Sequence, residues 1–321
     1  MKALALISGG LDSLLSAKLI QRQGIEVLGI KFNMPFCSNL REGMGAVINV
    51  KEFDITELFL RMLLKPRYGY GSNINPCLDC KILMLRKAKE LMDSLGASFV
   101  ITGEVLGQRP MSQHRRALEL IEGESGLKGF LVRPLSAKLL APTIPEQRRW
   151  VSRELLMDIS GRSRKPQLAM ARDFGLKEYK QPAGGCLLTD PEFSKRLKDS
   201  ISIGNVKPDD IEILKLGRYF CLGGNARLIV GRNEKENEKI FKSAKNGEYL
   251  FMPKDIPGPT ALGKGRFTDE LIMLSCAITM RYSDLDGDTQ GIVLYKKLPG
   301  DGYVVMDTEA IEEMELVKFK L

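Results

Sequence analysis

In the first part of the chain, short continuous apolar runs alternate with segments whose apolar residues recur at helical spacing. Helical spacing is clearest over Leu14–Ile20 and Leu78–Leu95. The apolar runs predict strands at Lys2–Ile7, Glu26–Phe32, Ala46–Phe53, Ser98–Thr102 and Phe130–Val132. Strands separated by helices predict a parallel sheet with right-handed crossovers, and therefore an α/β fold.

Beyond Asp199 the pattern changes to closely spaced strands with fewer helices. Helices are predicted near Asn233–Ala244 and Thr268–Tyr282. Strands are predicted at Arg218–Leu222, Arg227–Gly231, Glu248–Met252, Gly291–Lys296 and Gly302–Met306. We therefore expect two domains, an α/β domain over residues 1–203 and a smaller α+β domain over residues 204–321.

The composition is that of an ordinary soluble protein. The 321 residues are 44% hydrophobic and 27% charged, and this length allows two separate cores. No apolar run reaches the roughly 18 residues of a membrane span. The N-terminus has no charged leader followed by a cleavage site. We expect a cytoplasmic protein without a membrane partner.

The net charge of +8 is unevenly distributed. Residues 1–200 carry 31 Lys and Arg against 21 Asp and Glu, whereas residues 201–321 carry 17 against 19. The densest basic stretch runs from Arg109 to Arg172. Clustered cations suit a nucleic-acid backbone, although a solvated helix face gives the same pattern. The candidate RNA contacts are Arg148, Arg149 and Arg153.

The segment SGGLDS, Ser8–Ser13, follows the first predicted strand and precedes the first helix. A glycine pair there lets the backbone turn sharply, and the helix directs its positive end into the same space. The result is an anion cradle that is neither a GxxxxGK[ST] loop nor a GxGxxG turn. The serine hydroxyls add hydrogen bonds, and Asp12 is suited to Mg²⁺ or a phosphate-bound water.

The hexapeptide resembles the PP-loop of the N-type ATP pyrophosphatases, with Gly9, Gly10, Asp12 and Ser13 at the motif positions. In that family the loop holds pyrophosphate while a substrate oxygen attacks the α-phosphorus of ATP and forms an adenylate. The family has a parallel-sheet fold of the adenine nucleotide α-hydrolase type. Amidotransferases, lysidine synthetases, argininosuccinate synthetases and tRNA thiolation enzymes share this loop, which alone does not choose among them.

Cys77 and Cys80 form a CxxC pair at the start of a predicted helix, where a thiolate is favoured. Cys186 lies in a turn rich in proline and glycine. With His114 as the single histidine, a zinc site that uses histidines is nearly excluded, whereas three cysteines suit an iron–sulfur cluster with one open iron. Unrelated thiols remain the alternative. We expect packing roles for Cys37, Cys221 and Cys276.

The segment FVITGEVLGQRPMSQ resembles the TGExLGQxxSQ stretch of tRNA 4-thiouridine synthetases. The matching residues are Gly103, Glu104, Gly107, Gln108, Ser112 and Gln113. The VRPL and YKQP segments, 132–135 and 179–182, are similar to the same family. This resemblance implies Mg²⁺ and ATP at Ser8, Gly9, Gly10, Asp12 and Ser13, with adenosine contacts near Phe32, Gly103 and Glu104.

The segments LIVGRNEKENEKI and PGPTALGKG resemble the RNA-binding module of the NFACT proteins. The match lies at Gly231, Arg232, Asn233, Asn237 and Glu238. The slightly acidic balance of residues 201–321 argues against a large phosphate footprint. Binding RNA and a structural or dimerising role both stay open for this region.

Together these resemblances imply an ATP-dependent tRNA sulfurtransferase that forms AMP and diphosphate. It would adenylate a uracil carbonyl oxygen and replace that oxygen by sulfur, to give 4-thiouridine. Cys77, Cys80 and Cys186 would hold a [4Fe–4S] cluster whose fourth iron binds sulfide, or one of them would carry a persulfide. Its partners would be tRNA and a sulfur donor, and homodimerisation stays open. The alternatives are 2-thiolation and a non-enzymatic RNA-binding or ribosome-quality-control protein with a relic nucleotide site.

Overall fold

The computed structural model describes residues 1–36, 48–177, 179, 186–204 and 206–321. The chain divides into two compact units, Met1–Asp190 and Pro191–Leu321. The predicted packing residue Cys37, the start of the predicted strand at Ala46, and Lys180–Pro182 of the YKQP segment lie outside the described residues. No helix in the described ranges is both long enough and apolar enough to cross a membrane.

The first unit alternates strands and helices along the chain. Its strands are β1 (Lys2–Leu6), β2 (Glu26–Asn33), β3 (Val50–Asp54), β4 (Phe99–Ile101) and β5 (Leu131–Val132). Its helices are α1 (Leu11–Gln21), α2 (Thr56–Leu64), α3 (Cys77–Ser94), α4 (Arg115–Glu124), α5 (Ile144–Gln147) and α6 (Lys165–Asp173).

The strands of this unit form a parallel sheet in the order β3-β2-β1-β4-β5. The parallel α/β fold predicted from the alternating pattern is therefore confirmed. Ala3, Leu4 and Ala5 of the central strand are almost fully buried, because helices cover both faces of the sheet. The order reverses at β1, which β2 and β4 flank. A crevice at the carboxyl ends of strands at such a point is where ligands bind in open α/β sheets.

Helix α1 is buried on nearly every side. Leu11, Leu14, Leu15, Leu19 and Ile20 are buried in one core cluster that includes residues of β1 and α6. The N-terminus of α1 is consequently held at a fixed place beside the sheet.

The second unit is an α+β domain, as predicted, and its sheet is antiparallel. Its strands are β6 (Arg218–Gly223), β7 (Ala226–Val230), β8 (Tyr249–Pro253), β9 (Ala261–Lys264), β10 (Gln290–Lys297) and β11 (Val304–Glu309), in the order β11-β10-β8-β9-β7-β6. Its helices are α7 (Pro191–Ser202), α8 (Pro208–Leu214), α9 (Glu234–Ser243), α10 (Asp269–Arg281) and α11 (Glu313–Leu316). Buried residues of α10 share a core with the sheet.

The division between the units precedes α7, whereas the sequence places it after residue 203. Side chains of α7 explain this position. Asp199 pairs with Arg227 of β7 at 2.6 Å, and Arg196 donates to the carbonyl oxygens of Leu214, Leu216 and Gly217. These contacts fasten α7 to the second unit.

Candidate functional site

The SGGLDS segment lies between β1 and α1, as the sequence predicts. Gly9 has a φ of 78°, a left-handed conformation that glycine adopts without steric cost. The Ser13 hydroxyl donates to the carbonyl oxygen of Gly10 at 2.7 Å, and the Gly10 N–H donates to Ser8 Oγ at 3.3 Å. Gly10 is the N-cap of α1 and has no side chain to cap the helix. Backbone N–H groups at the start of α1 are thereby left to bind an anion.

Gly103 packs directly against this loop. A Cβ atom at Gly103 would lie 2.5 Å from the carbonyl carbon of Asp12 and 2.5 Å from the nitrogen of Ser13. Only a residue without a side chain fits so close to another backbone. The TGE segment and the SGGLDS loop therefore form adjoining walls, at the crevice beside β1 and β4.

Asp12 is engaged on one carboxylate oxygen. Its Oδ2 accepts a 2.8 Å hydrogen bond from Gln108 Nε2, and Gln108 Oε1 accepts one of 3.2 Å from Gln167 Nε2. Asp12 Oδ1 lies 3.7 Å from Arg164 Nη2 and has no hydrogen-bond partner among the described residues. A buried unpartnered carboxylate oxygen fits the expected role of Asp12 toward Mg²⁺, which prefers oxygen ligands.

Glu104 is completely buried in a network of positive charges. Its Oε2 accepts hydrogen bonds from Arg133 Nε and Thr102 Oγ1, each at 3.1 Å, and its Oε1 lies 3.8 Å from Lys81 Nζ. Burial alone would raise the pKa of the Glu104 carboxyl, but Lys81, Arg133 and the hydrogen bonds outweigh it and lower that pKa. Oε2 is thus engaged by Arg133 and Thr102, whereas Oε1 has no hydrogen-bond partner among the described residues.

Phe32, the other residue expected near adenosine, lies near the carboxyl end of β2. Its side chain is 5% exposed, and its ring is 6.3 Å from that of Phe53 on β3. The ring therefore forms part of the apolar packing at the same edge of the sheet as Gly103.

The cysteine pair lies at the start of α3, as expected. Cys77 is its first residue, and both Cys77 and Cys80 are partly exposed. Between them, the Asp79 carboxylate accepts the backbone N–H groups of Arg67 and Tyr68 at 2.9 and 3.0 Å. These bonds fix the preceding loop onto the first turn of the helix.

The segment that carries Cys186 lies against the loop before α3. Asn73 Nδ2 donates to the carbonyl oxygen of Thr189 at 2.8 Å, and the Ile74 N–H donates to that of Leu188. The three sequence-predicted cysteines are therefore on adjoining segments. Among the described residues, however, no group of three His, Cys, Asp or Glu side chains is placed to hold a metal ion.

The other two described cysteines lie in the second unit. Cys276 is fully buried in the core, which raises its pKa to about 12, and Cys221 donates to Asp199 Oδ1 at 3.7 Å. Neither thiol lies in the unit that holds the cradle, in keeping with the packing roles expected for them.

The three arginines selected as RNA contacts differ in their surroundings. Arg148 and Arg149 are exposed, and the Arg148 guanidinium lies 5.2 Å from the centre of the Trp150 ring. Arg153 instead donates to Glu146 Oε1 at 2.6 Å and to the Leu140 carbonyl oxygen at 2.8 Å. Its guanidinium fastens the α5 turn, which leaves Arg148 and Arg149 as the accessible cations.

The motif residues of the second unit serve its local structure. Asn233 caps α9, and Arg232 pairs with Glu236 at 2.6 Å. Asn237 accepts the Thr260 N–H at 3.1 Å and donates to the Gly258 carbonyl oxygen at 3.3 Å. The GRNEKEN and PGPT segments are thereby joined, a relationship that sequence spacing did not reveal.

Sequence reasoning missed Arg164 and Gln167 as parts of the cradle. Arg164 drew attention only as one member of the basic stretch, and a buried glutamine on a short helix gives no sequence signal of function. The roles of Lys81 and Arg133 were also missed. Their shared partner Glu104 is distant from both in the sequence, so no local pattern indicates the contact.

Two family models match the chain, "Thiamine biosynthesis protein (ThiI)" over residues 1–138 and "NFACT protein RNA binding domain" over residues 217–320. A probable tRNA sulfurtransferase of Methanosarcina mazei is 31% identical over 116 residues, covering 33% of this chain and 29% of that relative. The tRNA-specific 2-thiouridylase MnmA of Chlorobium luteolum is 25% identical over 222 residues, covering 62% of this chain and 56% of the relative.

Among solved structures, a 4-thiouridine synthetase in complex with RNA and bound ATP is 21% identical, with a TM-score of 0.33. That match covers 55% of this chain and 51% of the other. The chain thus spans less than a third of the sulfurtransferase relative and little more than half of the thiouridylase.

The family matches confirm the resemblances inferred from the SGGLDS, TGE and GRNEKEN segments. Both models agree in position with the units that the structure separates. The chain is therefore similar to the ThiI proteins over residues 1–138 and to the NFACT RNA-binding domain over residues 217–320.

Proposed function

We propose that this protein is an ATP-dependent tRNA sulfurtransferase that converts a uridine into 4-thiouridine. The observation that supports this most strongly is the cradle itself. The SGGLDS loop, the open start of α1 and Asp12 with one unpartnered oxygen lie against Gly103 in the same unit as the CxxC helix. We assign the reaction to the cytoplasm, as the composition predicts.

In the proposed first step, ATP binds with its pyrophosphate portion on Ser8, Gly9, Gly10 and Ser13. Asp12 would hold Mg²⁺, which neutralises charge on the phosphates as the leaving group departs. The uracil carbonyl oxygen attacks the α-phosphorus, and the bond to pyrophosphate breaks. The N–H groups of the loop and of α1 stabilise the negative charge that develops on the departing oxygens.

In the second step, a sulfur nucleophile attacks the adenylated base carbon. The carbon–oxygen bond breaks, and AMP leaves with the former carbonyl oxygen and the bonding electron pair. Adenylation is needed because the carbonyl oxygen of uracil is a poor leaving group. The products are a thiocarbonyl, AMP and pyrophosphate.

We assign the sulfur-transfer role to Cys77, Cys80 and Cys186. The described residues form no three-ligand metal group, so we derive no step through the [4Fe–4S] cluster that the resemblance implies. In a persulfide scheme, the outer sulfur of one cysteine attacks the base, and a second thiolate attacks the inner sulfur. The resulting disulfide is returned to thiols by a thiol reductant.

Iron analysis separates the two sulfur schemes. A cubane cluster requires about four irons per chain in anaerobically purified protein. It also requires that each single Cys→Ser variant lose the iron and the thiolation activity together. Iron-free protein that is fully active with a persulfide donor supports the persulfide scheme instead. Cys276→Ser is the matched control, because that thiol lies in the core of the other unit.

For tRNA binding, we propose the exposed cations Arg148 and Arg149 together with the NFACT-type region. Replacing both arginines by Ala should weaken tRNA binding and flatten its dependence on salt, because phosphate contacts set that slope. If the double variant binds tRNA with the affinity and the salt dependence of the wild type, the two arginines belong only to a solvated face.

Two alternatives predict different nucleosides. A 2-thiouridylase is favoured by the wider coverage of its relative from Chlorobium, 62% of this chain against 33% for the sulfurtransferase. It would give 2-thiouridine. The NFACT-type match supports a non-enzymatic RNA-binding protein as the second alternative. Such a protein would give no thiolated nucleoside.

Nucleoside analysis of tRNA from a strain that lacks the gene tests the proposal. The wild-type gene should restore 4-thiouridine, and so should the exposed-site control Asp158→Ala, whereas Asp12→Ala should not. Full restoration by Asp12→Ala would contradict the assignment of the cradle, and restoration of 2-thiouridine would favour the alternative.

A further inference from the structure

The start of α6 forms a third wall of the cradle, in addition to the SGGLDS loop and the TGE segment. Leu106 and Ser160 form a parallel bridge, and the Gly161 N–H donates to the Leu106 carbonyl oxygen at 2.7 Å. Because of this pairing, the segment before α6 lies beside the segment that carries Gln108. Arg164 and Gln167 follow directly, and both reach residues of the cradle.

Arg164 is partly exposed, with 24% of its side chain accessible, and its hydrogen bonds differ from those of the buried Arg133. Arg133 places Nε, Nη1 and Nη2 on acceptors at 2.8–3.1 Å. Arg164 Nε is buried and has no acceptor among the described residues. Its Nη2 lies 3.7 Å from Asp12 Oδ1, beyond the range of a hydrogen bond. Leaving a buried N–H unsatisfied is costly, so this guanidinium is poised for an acceptor from outside the chain.

Asp12 is held in position from its other side. A carboxylate oxygen can only accept, so Gln108 must turn its amide nitrogen to Asp12 and its amide oxygen to Gln167. Gln167 is fully buried, which fixes the far end of this chain of hydrogen bonds. The arrangement keeps Oδ2 engaged and leaves Oδ1 on the side of Arg164.

The Arg164 guanidinium and Asp12 Oδ1 therefore lie side by side, 3.7 Å apart, and Arg164 Nε and Asp12 Oδ1 each lack a hydrogen-bond partner among the described residues. A phosphate oxygen satisfies the guanidinium, and a phosphate-bound Mg²⁺ or its water satisfies the carboxylate. Both requirements are met together by a metal-bound pyrophosphate group. We propose that Arg164 binds the pyrophosphate portion of ATP opposite the SGGLDS loop, with Gln108 and Gln167 as positioning residues for Asp12. This inference rests on the proposed function, since it assumes that ATP occupies the cradle.

Calorimetry with Mg-ATP and with inorganic pyrophosphate tests the assignment without tRNA. Arg164→Gln should lower the affinity for both ligands by about tenfold to a hundredfold, the range for loss of a charged hydrogen bond. The matched control is Arg162→Gln, an exposed arginine on the same segment, which should bind both ligands as the wild type does. Wild-type pyrophosphate affinity in Arg164→Gln, or equal losses in the two variants, would overturn the proposal.

If Arg164→Gln does not fold, Arg164→Lys decides the matter. The ammonium group keeps the charge but has no planar fork, so pyrophosphate affinity should fall by about tenfold, and unchanged affinity overturns the assignment. A wild-type chain that binds pyrophosphate through Arg164 yet thiolates no tRNA overturns only the proposed function. A wild-type chain that thiolates tRNA while the Arg164 variant retains full pyrophosphate affinity overturns only this inference. Wild-type protein that binds neither ligand overturns both.

Discussion

Replacing Gly103 by Ala tests whether the TGE segment forms a wall of the cradle. The new methyl group would lie 2.5 Å from two backbone atoms of Asp12 and Ser13. Non-bonded carbon atoms need about 3.5–4 Å, so one of the two backbones must move by about 1 Å. Neither can rotate away as a side chain could. Overpacking of this kind costs about 1–3 kcal/mol, and the movement falls on the SGGLDS loop, which we propose binds phosphate.

The assay is urea unfolding with and without Mg-ATP. Gly103→Ala should unfold at lower urea than the wild type and should lose most of the stabilisation that ATP gives, because that stabilisation depends on affinity. Gly123→Ala is the matched control. Gly123 lies within α4 with no atom within 4 Å of the added carbon, so this variant should gain about 0.5–1 kcal/mol and keep its response to ATP. Wild-type stability and an undiminished ATP response in Gly103→Ala would show that Gly103 does not pack tightly against the loop.

Three further changes probe the buried network, the second unit and the thiols. Glu104→Gln leaves Arg133 and Lys81 without their shared charge and should cost about 3–5 kcal/mol at neutral pH. Because the folded-state pKa of Glu104 is lowered, its contribution is present above the ordinary value of 4.5 and is lost as pH falls through the folded-state value, so the difference from wild type should narrow in acid. Asn237→Ala breaks two hydrogen bonds and should cost about 1–2 kcal/mol in urea unfolding. Cys276→Ser should lose about 1 kcal/mol but retain thiolation, whereas Cys77→Ser should keep its stability and lose thiolation.

Each of these expectations has a clear contrary result. A Glu104→Gln variant whose deficit stays constant down to acid pH would show that the carboxylate is not held ionised by its partners. Full stability in Asn237→Ala would mean that the GRNEKEN and PGPT segments are joined by other contacts. Thiolation lost in Cys276→Ser, or retained in Cys77→Ser, would reverse the roles assigned to the thiols.

The strands and the cradle could be predicted because their causes are local. An apolar run such as Lys2–Ile7 must be buried, and a glycine pair after it must turn, whatever the rest of the chain does. The observed β1 and α1 lie within a few residues of those predictions. One strand was missed, β9, because its sequence follows Pro257–Pro259 and contains Gly263, and such a composition predicts a loop. Tertiary pairing with β7 and β8 overrides that tendency.

The partners within the site could not be predicted, because they are separated by long stretches of sequence. Asp12 meets Gln108 and, through it, Gln167, and no periodic pattern records such a meeting. Charge counts likewise treated Arg153 and Arg164 as equal members of one basic stretch. The first is committed to Glu146 by a 2.6 Å hydrogen bond, and the second faces the cradle. The two arginines differ in the side chains that they contact, and the amino-acid composition carries no information on such contacts.

The proposed function depends on adenylation of a tRNA uridine in the cradle. The most direct test is an anaerobic reaction of the purified chain with ATP, sulfide and unmodified tRNA, in which nucleosides are identified by mass spectrometry and nucleotides are counted. We expect 4-thiouridine, with one AMP and one pyrophosphate formed for each uridine converted, and no product without ATP. Thiolation without ATP, or accompanied by ADP and phosphate in place of AMP and pyrophosphate, would contradict the proposed function.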